Sequence, residues 1–136
     1  MGFVGLSRPI LDNGWGVQGG LHVNRYLRDW VELGSQLSYQ RTNINHAFLS
    51  GKESRMNSIL LLAGGRFYMI PKTKGIRAYL NFLIGGMCIN ERKDGFTRNE
   101  FGLGLSTGVY LQFQRMVLGL SAETDQFVLL KIGYRF

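Results

Sequence analysis

The chain of 136 residues has one cysteine, two prolines, two histidines and no long apolar run. The lone Cys88 rules out an internal disulfide and leaves the redox compartment unreadable. Nothing approaches the ~18 consecutive apolar residues of a membrane-crossing helix. That excludes one route into a bilayer and leaves another open, because barrel strands hide apolar residues by alternating them with polar ones. His22 and His46 with one cysteine are too few for a metal site. The pairs Gly14/Gly16 and Gly102/Gly104 mimic part of a dinucleotide fingerprint, but no helix follows either to receive a phosphate. No metal or cofactor is expected. Met1-Gly2-Phe3 runs into strand-like sequence with no basic region or apolar core of a signal peptide. A cytosolic protein would look like this, and so would a mature domain carrying an added Met.

What is present narrows the class. The 19 glycines are about twice the usual share, which disorder could explain. The 45% hydrophobic and 12% aromatic content argues against that. Glycine inside alternating strands suits a narrow barrel, where it eases curvature and close packing. The length fits a single domain over residues 1–136. The net charge of +7 is scattered through turns, loops and inward-phase positions, without the basic run that nucleic-acid binding would need.

Alternation carries the fold. Side chains of a strand point to opposite faces with period two. In residues 127–136 one set is Val128, Leu130, Ile132, Tyr134 and Phe136; the other is Phe127, Leu129, Lys131, Gly133 and Arg135. The cleanest stretch sets Phe101, Leu103, Leu105, Thr107, Val109, Leu111 and Phe113 against Gly102, Gly104, Ser106, Gly108, Tyr110, Gln112 and Gln114. Similar patterns cover 15–24, 31–40, 59–69, 78–87 and 118–123, with Leu60 and Leu62 marring one polar face. A weak first strand around residues 3–6 ends by Pro9. Eight strands and no helix are expected. Short connectors are expected at 25–29, 71–75 and 114–115, and long polar loops at 41–55 and 90–100. Asn13-Gly14 marks a turn.

Residues 15–23, 77–86, 101–109 and the terminal Lys131-Ile132-Gly133-Tyr134-Arg135-Phe136 resemble the small eight-stranded outer-membrane β-barrels of the OmpA, OmpX and opacity type. The resemblance spans nearly the whole chain and speaks to architecture. It implies an antiparallel up-and-down transmembrane barrel in a bacterial outer membrane, with both chain ends on the periplasmic side. Trp30, Phe67, Phe113, Tyr134 and Phe136 would then form the periplasmic aromatic girdle. It further implies a C-terminal assembly signal at Tyr134 and Phe136, read by the barrel-assembly machinery.

The inward phase holds Glu32, Arg66, Glu123, Lys131 and Arg135, with Gln18, Gln36, Asn81 and Gln112. These would line a conduit or, since eight strands leave a lumen that side chains fill, a plug of paired charges. Lys52, Arg92, Lys93 and Arg98 would sit on the loops, available to lipopolysaccharide or a surface partner. The leading expectation is a non-enzymatic barrel with a structural or surface-interaction role, alone or within a larger envelope complex. One alternative is a soluble lipocalin-like barrel binding an apolar ligand. Another is a lipid-modifying enzyme, which would depend on His22 or Ser106.

Overall fold

The computed structural model describes residues 1–9, 13–45, 53–69, 75–93, 95–124 and 127–136. Eight strands run in order: β1 (Gly2–Pro9), β2 (Asn13–Arg28), β3 (Val31–Asn45), β4 (Glu53–Tyr68), β5 (Ile76–Lys93), β6 (Phe96–Phe113), β7 (Met116–Glu123) and β8 (Phe127–Tyr134). Each pairs antiparallel with the next, and β1 returns to β8 from Gly2↔Tyr134 to Pro9↔Phe127, closing the barrel. Closure leaves no continuous open edge, so the main-chain polar groups of the wall satisfy one another.

The polarity is inside out. Leu103, Val109, Leu130 and Ile132 are 60%, 49%, 48% and 47% exposed, while Gln112 and Lys131 are 6% and 3% exposed. The soluble lipocalin-like alternative therefore does not hold, since it requires the apolar set inside. Trp30, Phe67, Phe113, Tyr134 and Phe136 are all exposed at the end that carries both termini. Val31 and Ala78, on the outward phase at that same end, are buried.

Three apolar clusters fill part of the lumen. Leu60 and Leu62, which mar the pattern in sequence, pack with Leu83 and Met87 as an internal plug. Ile44, Met56 and Leu129 join Ile89 toward the far end. Tyr79, Tyr110 and Val117 pack nearer the termini, with the two rings stacked at 5.1 Å between centroids. Gly119 makes that stack possible: a Cβ there would overlap the Tyr110 ring.

The expected loops are largely strand. Residues 41–45 belong to β3 and 53–55 to β4, so only 46–52 of the supposed 41–55 loop lie outside the described residues. The supposed 90–100 loop is a hairpin tip, with β5 reaching Lys93 and β6 starting at Phe96; Gly95 turns at φ 83°. At the other end, β2 runs to Arg28, and the 25–29 connector shrinks to a turn at Asp29 and Trp30. The Asn13-Gly14 turn is likewise displaced, since β2 starts at Asn13. The chain breaks its apolar alternation where strands leave the apolar band and the outward face becomes polar, with Thr42, Ile44 and Ser54 still buried inside, well before the hydrogen-bonded ladder ends. Residues 71–74 and 125–126, read as turn and link, lie outside the described residues.

Candidate functional site

The polar lumen is built from inward side chains of β2 to β8, and it divides into two charge clusters. In the first, Glu123 on β7 meets Lys131 on β8, with Nζ 2.6 Å from Oε1. Gln18 on β2 donates its Nε2 to Glu123 Oε2 at 2.8 Å, and Ser106 on β6 donates its hydroxyl to Oε1 at 3.2 Å. The carboxylate thus takes donors from three strands. Lys131 also lies 5.0 Å from the Phe3 ring centroid, a cation–π contact that offsets part of its lost hydration. From Gln18 the chain of amides continues: Gln18 donates to Gln40 at 3.4 Å, and Gln40 to Thr42 at 3.1 Å.

The second cluster sits nearer the termini. Glu32 on β3 is flanked by Arg66 at 3.7 Å and Arg135 at 3.4 Å. Arg66 lies 4.8 Å from the Tyr79 ring centroid and donates to His22 Nδ1 at 2.6 Å. A guanidinium carries only donors, so this nitrogen of His22 is an acceptor. At the mouth, the Tyr26 hydroxyl accepts from Arg135 at 2.9 Å and from Arg77 at 3.1 Å. A buried charge is tolerated only with partners of this kind, because leaving water costs each ion several kcal/mol, or roughly so.

Between the clusters, an enclosed cavity bounded by Phe3, His22, Arg66, Tyr110 and Lys131 holds about 10 Å³. That is near the minimum for one water molecule. Among the described residues the lumen is filled by these charge networks and the three apolar clusters, with no group of three or more ligating side chains suited to a metal ion.

The structure brings the five inward-phase charges together as two networks: Glu32 with Arg66 and Arg135, and Glu123 with Lys131. Tyr134 and Phe136 face outward with ring centroids 6.2 Å apart. Of the four supposed loop cations, the three that are described lie on strands. Arg92 and Lys93 are on β5, Arg98 is on β6 paired with Glu100, and Lys52 lies outside the described residues. Sequence reasoning missed Tyr26 and Arg77 at the lumen mouth. Continuing the even-residue phase of β2 through Asn24 would have placed Tyr26 inside.

A closed eight-stranded ladder, apolar outside and ionic within, defines a transmembrane β-barrel of the small outer-membrane type. Solved structures of that type share the fold. One is the outer membrane enzyme PagL, with a TM-score of 0.63 at 11% identity over 100% of both chains. Another is Ail, the attachment invasion locus protein of Yersinia pestis, solved in complex with the heparin analogue sucrose octasulfate. Its TM-score is 0.54 at 16% identity, over 99% of this chain and 96% of that one. Ail alone gives 0.51 over the same shares. No family model matches the chain, and no curated protein matches its sequence.

Proposed function

We propose that this protein is an integral outer-membrane barrel with a structural or surface-interaction role, a plugged lumen and no catalytic activity. The observation that carries the reading is the inverted polarity: an apolar outer wall around the buried Glu123–Lys131 and Glu32–Arg66 pairs. Water would not solvate that wall, and the filled lumen leaves no path for solute. The test is refolding into detergent followed by electrophoresis with and without boiling, together with planar-bilayer recording. A mobility shift on boiling and the absence of steady conductance are expected. A detergent-free soluble monomer, or a stable open-channel current, would overturn the reading.

A second reading, a lipid-modifying enzyme, is favoured by the likeness to PagL, which is an enzyme. It is opposed by the placement of the two residues it would use. His22 and Ser106 are 2% and 1% exposed and face the lumen, where no lipid reaches them. His46, the other histidine, lies outside the described residues. Acyl-chain release from phospholipid or lipid A by the refolded protein, lost in His22→Gln or Ser106→Ala, would favour the enzyme.

A further inference from the structure

The upper part of the outer wall carries cations that the lumen network does not use. Arg41 on β3, Arg55 on β4 and Arg92 on β5 all face outward and are exposed. Arg55 and Arg92 stand directly opposite in the ladder. Arg41 pairs with Asn57, and Arg55 with Asn43, so Arg41 and Arg55 are diagonal neighbours. Like charges placed across a sheet repel. Among the described side chains, none of the three arginines has a carboxylate partner. Asn43, Asn57, Asn90 and Thr97 stand beside them on the same face and add hydrogen-bonding groups. On β1, Arg8 is also exposed.

Height decides what such a cluster can meet. From Val31 to Arg41, β3 rises ~33 Å along itself and ~25 Å along the barrel axis at a tilt of ~40°, the height of an apolar band. Directly below the arginines lie Tyr39 and Ile59, both half exposed, and then Leu37 and Leu61. Tyr39 bridges the two zones by donating its hydroxyl to Asn57 at 3.0 Å. Beside Arg41, a groove of about 220 Å³ runs between Trp15, Val17 and Asn43. A lipid whose chains lie against the apolar wall would hold its head group at this level.

Resting on the membrane-barrel reading above, we propose that Arg41, Arg55 and Arg92 form a site for the phosphate groups of an anionic glycolipid in the leaflet opposite the chain termini. Planar guanidinium groups suit phosphate because each offers paired N–H donors. The site lies on the flank of the wall, continuous with the apolar band, and this favours a membrane-anchored phosphate over a soluble polyanion. Binding would also relieve the Arg55–Arg92 repulsion, so the lipid should stabilise the barrel.

The test uses the full chain refolded in a neutral detergent, titrated with diphosphoryl lipid A and followed by tryptophan fluorescence. Arg41→Gln/Arg55→Gln/Arg92→Gln should weaken binding by at least about tenfold, given the attraction of each cation near an anionic surface. Arg25→Gln, an outward cation at the opposite rim, should leave it unchanged, and dephosphorylated lipid A should not bind. Equal affinity of the triple variant, or equal loss in Arg25→Gln, would overturn the site. Tighter binding of soluble inositol hexaphosphate than of lipid A would overturn the lipid as its occupant. A boiling-dependent mobility shift in each variant shows that it folds. Loss of that shift in the wild type would instead sink the membrane-barrel reading.

Discussion

Lys131 Nζ and Glu123 Oε1 lie 2.6 Å apart on neighbouring strands, with side chains 3% and 0% exposed. Removing one partner strands the other in a medium that cannot solvate it. Lys131→Met alone should destabilise the barrel by ~3–5 kcal/mol, and Glu123→Gln combined with Lys131→Met by distinctly less. Urea unfolding in lipid vesicles, read by tryptophan fluorescence, gives both values. A double variant no better than the single one would mean that the pair contributes through packing alone.

Glu32 separates two guanidinium groups, and their surroundings differ. Arg66 is 4% exposed, whereas Arg135 is 27% exposed at the mouth. Glu32→Gln should therefore cost ~3 kcal/mol or more, leaving Arg66 buried without its carboxylate. Arg135→Gln should cost ~1 kcal/mol or less, since water screens a partly exposed pair. The same vesicle unfolding assay checks the order, and a reversed order would contradict the placement of Arg66 as the buried member.

Two glycines in the wall make opposite predictions. A Cβ on Gly119 would overlap the Tyr110 ring, while one on Gly86 meets nothing within 4 Å. Gly119→Ala should lower stability by ~1–3 kcal/mol, as overpacking does, or prevent folding outright. Gly86→Ala should be neutral or slightly stabilising, because it only restricts the unfolded chain. The fraction showing a boiling-dependent mobility shift separates the two.

The internal leucines offer a fourth check. Leu83 is fully buried against Leu60 and Leu62. Leu83→Ala should cost ~2–5 kcal/mol in the unfolding assay, the range for a large-to-small change in a packed interior. A loss below ~1 kcal/mol would place these leucines at a lax lumen that collapses to fill the gap.

The sequence made the wall of the barrel legible and its rim illegible, for one physical reason. Alternation such as Leu103/Gly104 or Leu130/Lys131 arises where one face meets lipid and the other meets the lumen. Above that zone the outward face is wet, so Asn90, Arg92 and Asn99 read as loop although they lie in the β5–β6 ladder. The same effect hid the arginine cluster: three outward cations at 41, 55 and 92 are far apart in sequence and meet only through register. The inward charges could be listed from phase alone. Their division into two networks depended on strand register and barrel shear, which no local pattern records. Leu60 and Leu62 seemed to break the rule because a lumen was expected to be polar, whereas a narrow one must above all be filled.

Gln18 donates to Glu123 across 105 positions of chain, and Lys131 completes that cluster from the final strand. The plug is therefore only partly assembled as hairpins add on. The β7–β8 hairpin already gives Glu123 its ammonium, but until β8 docks against β1 the carboxylate lacks the Gln18 amide and Glu32 lacks Arg135. Ring closure and completion of the two polar networks are one event, which makes a partly formed barrel poor shelter for its own interior and a finished one hard to pry open.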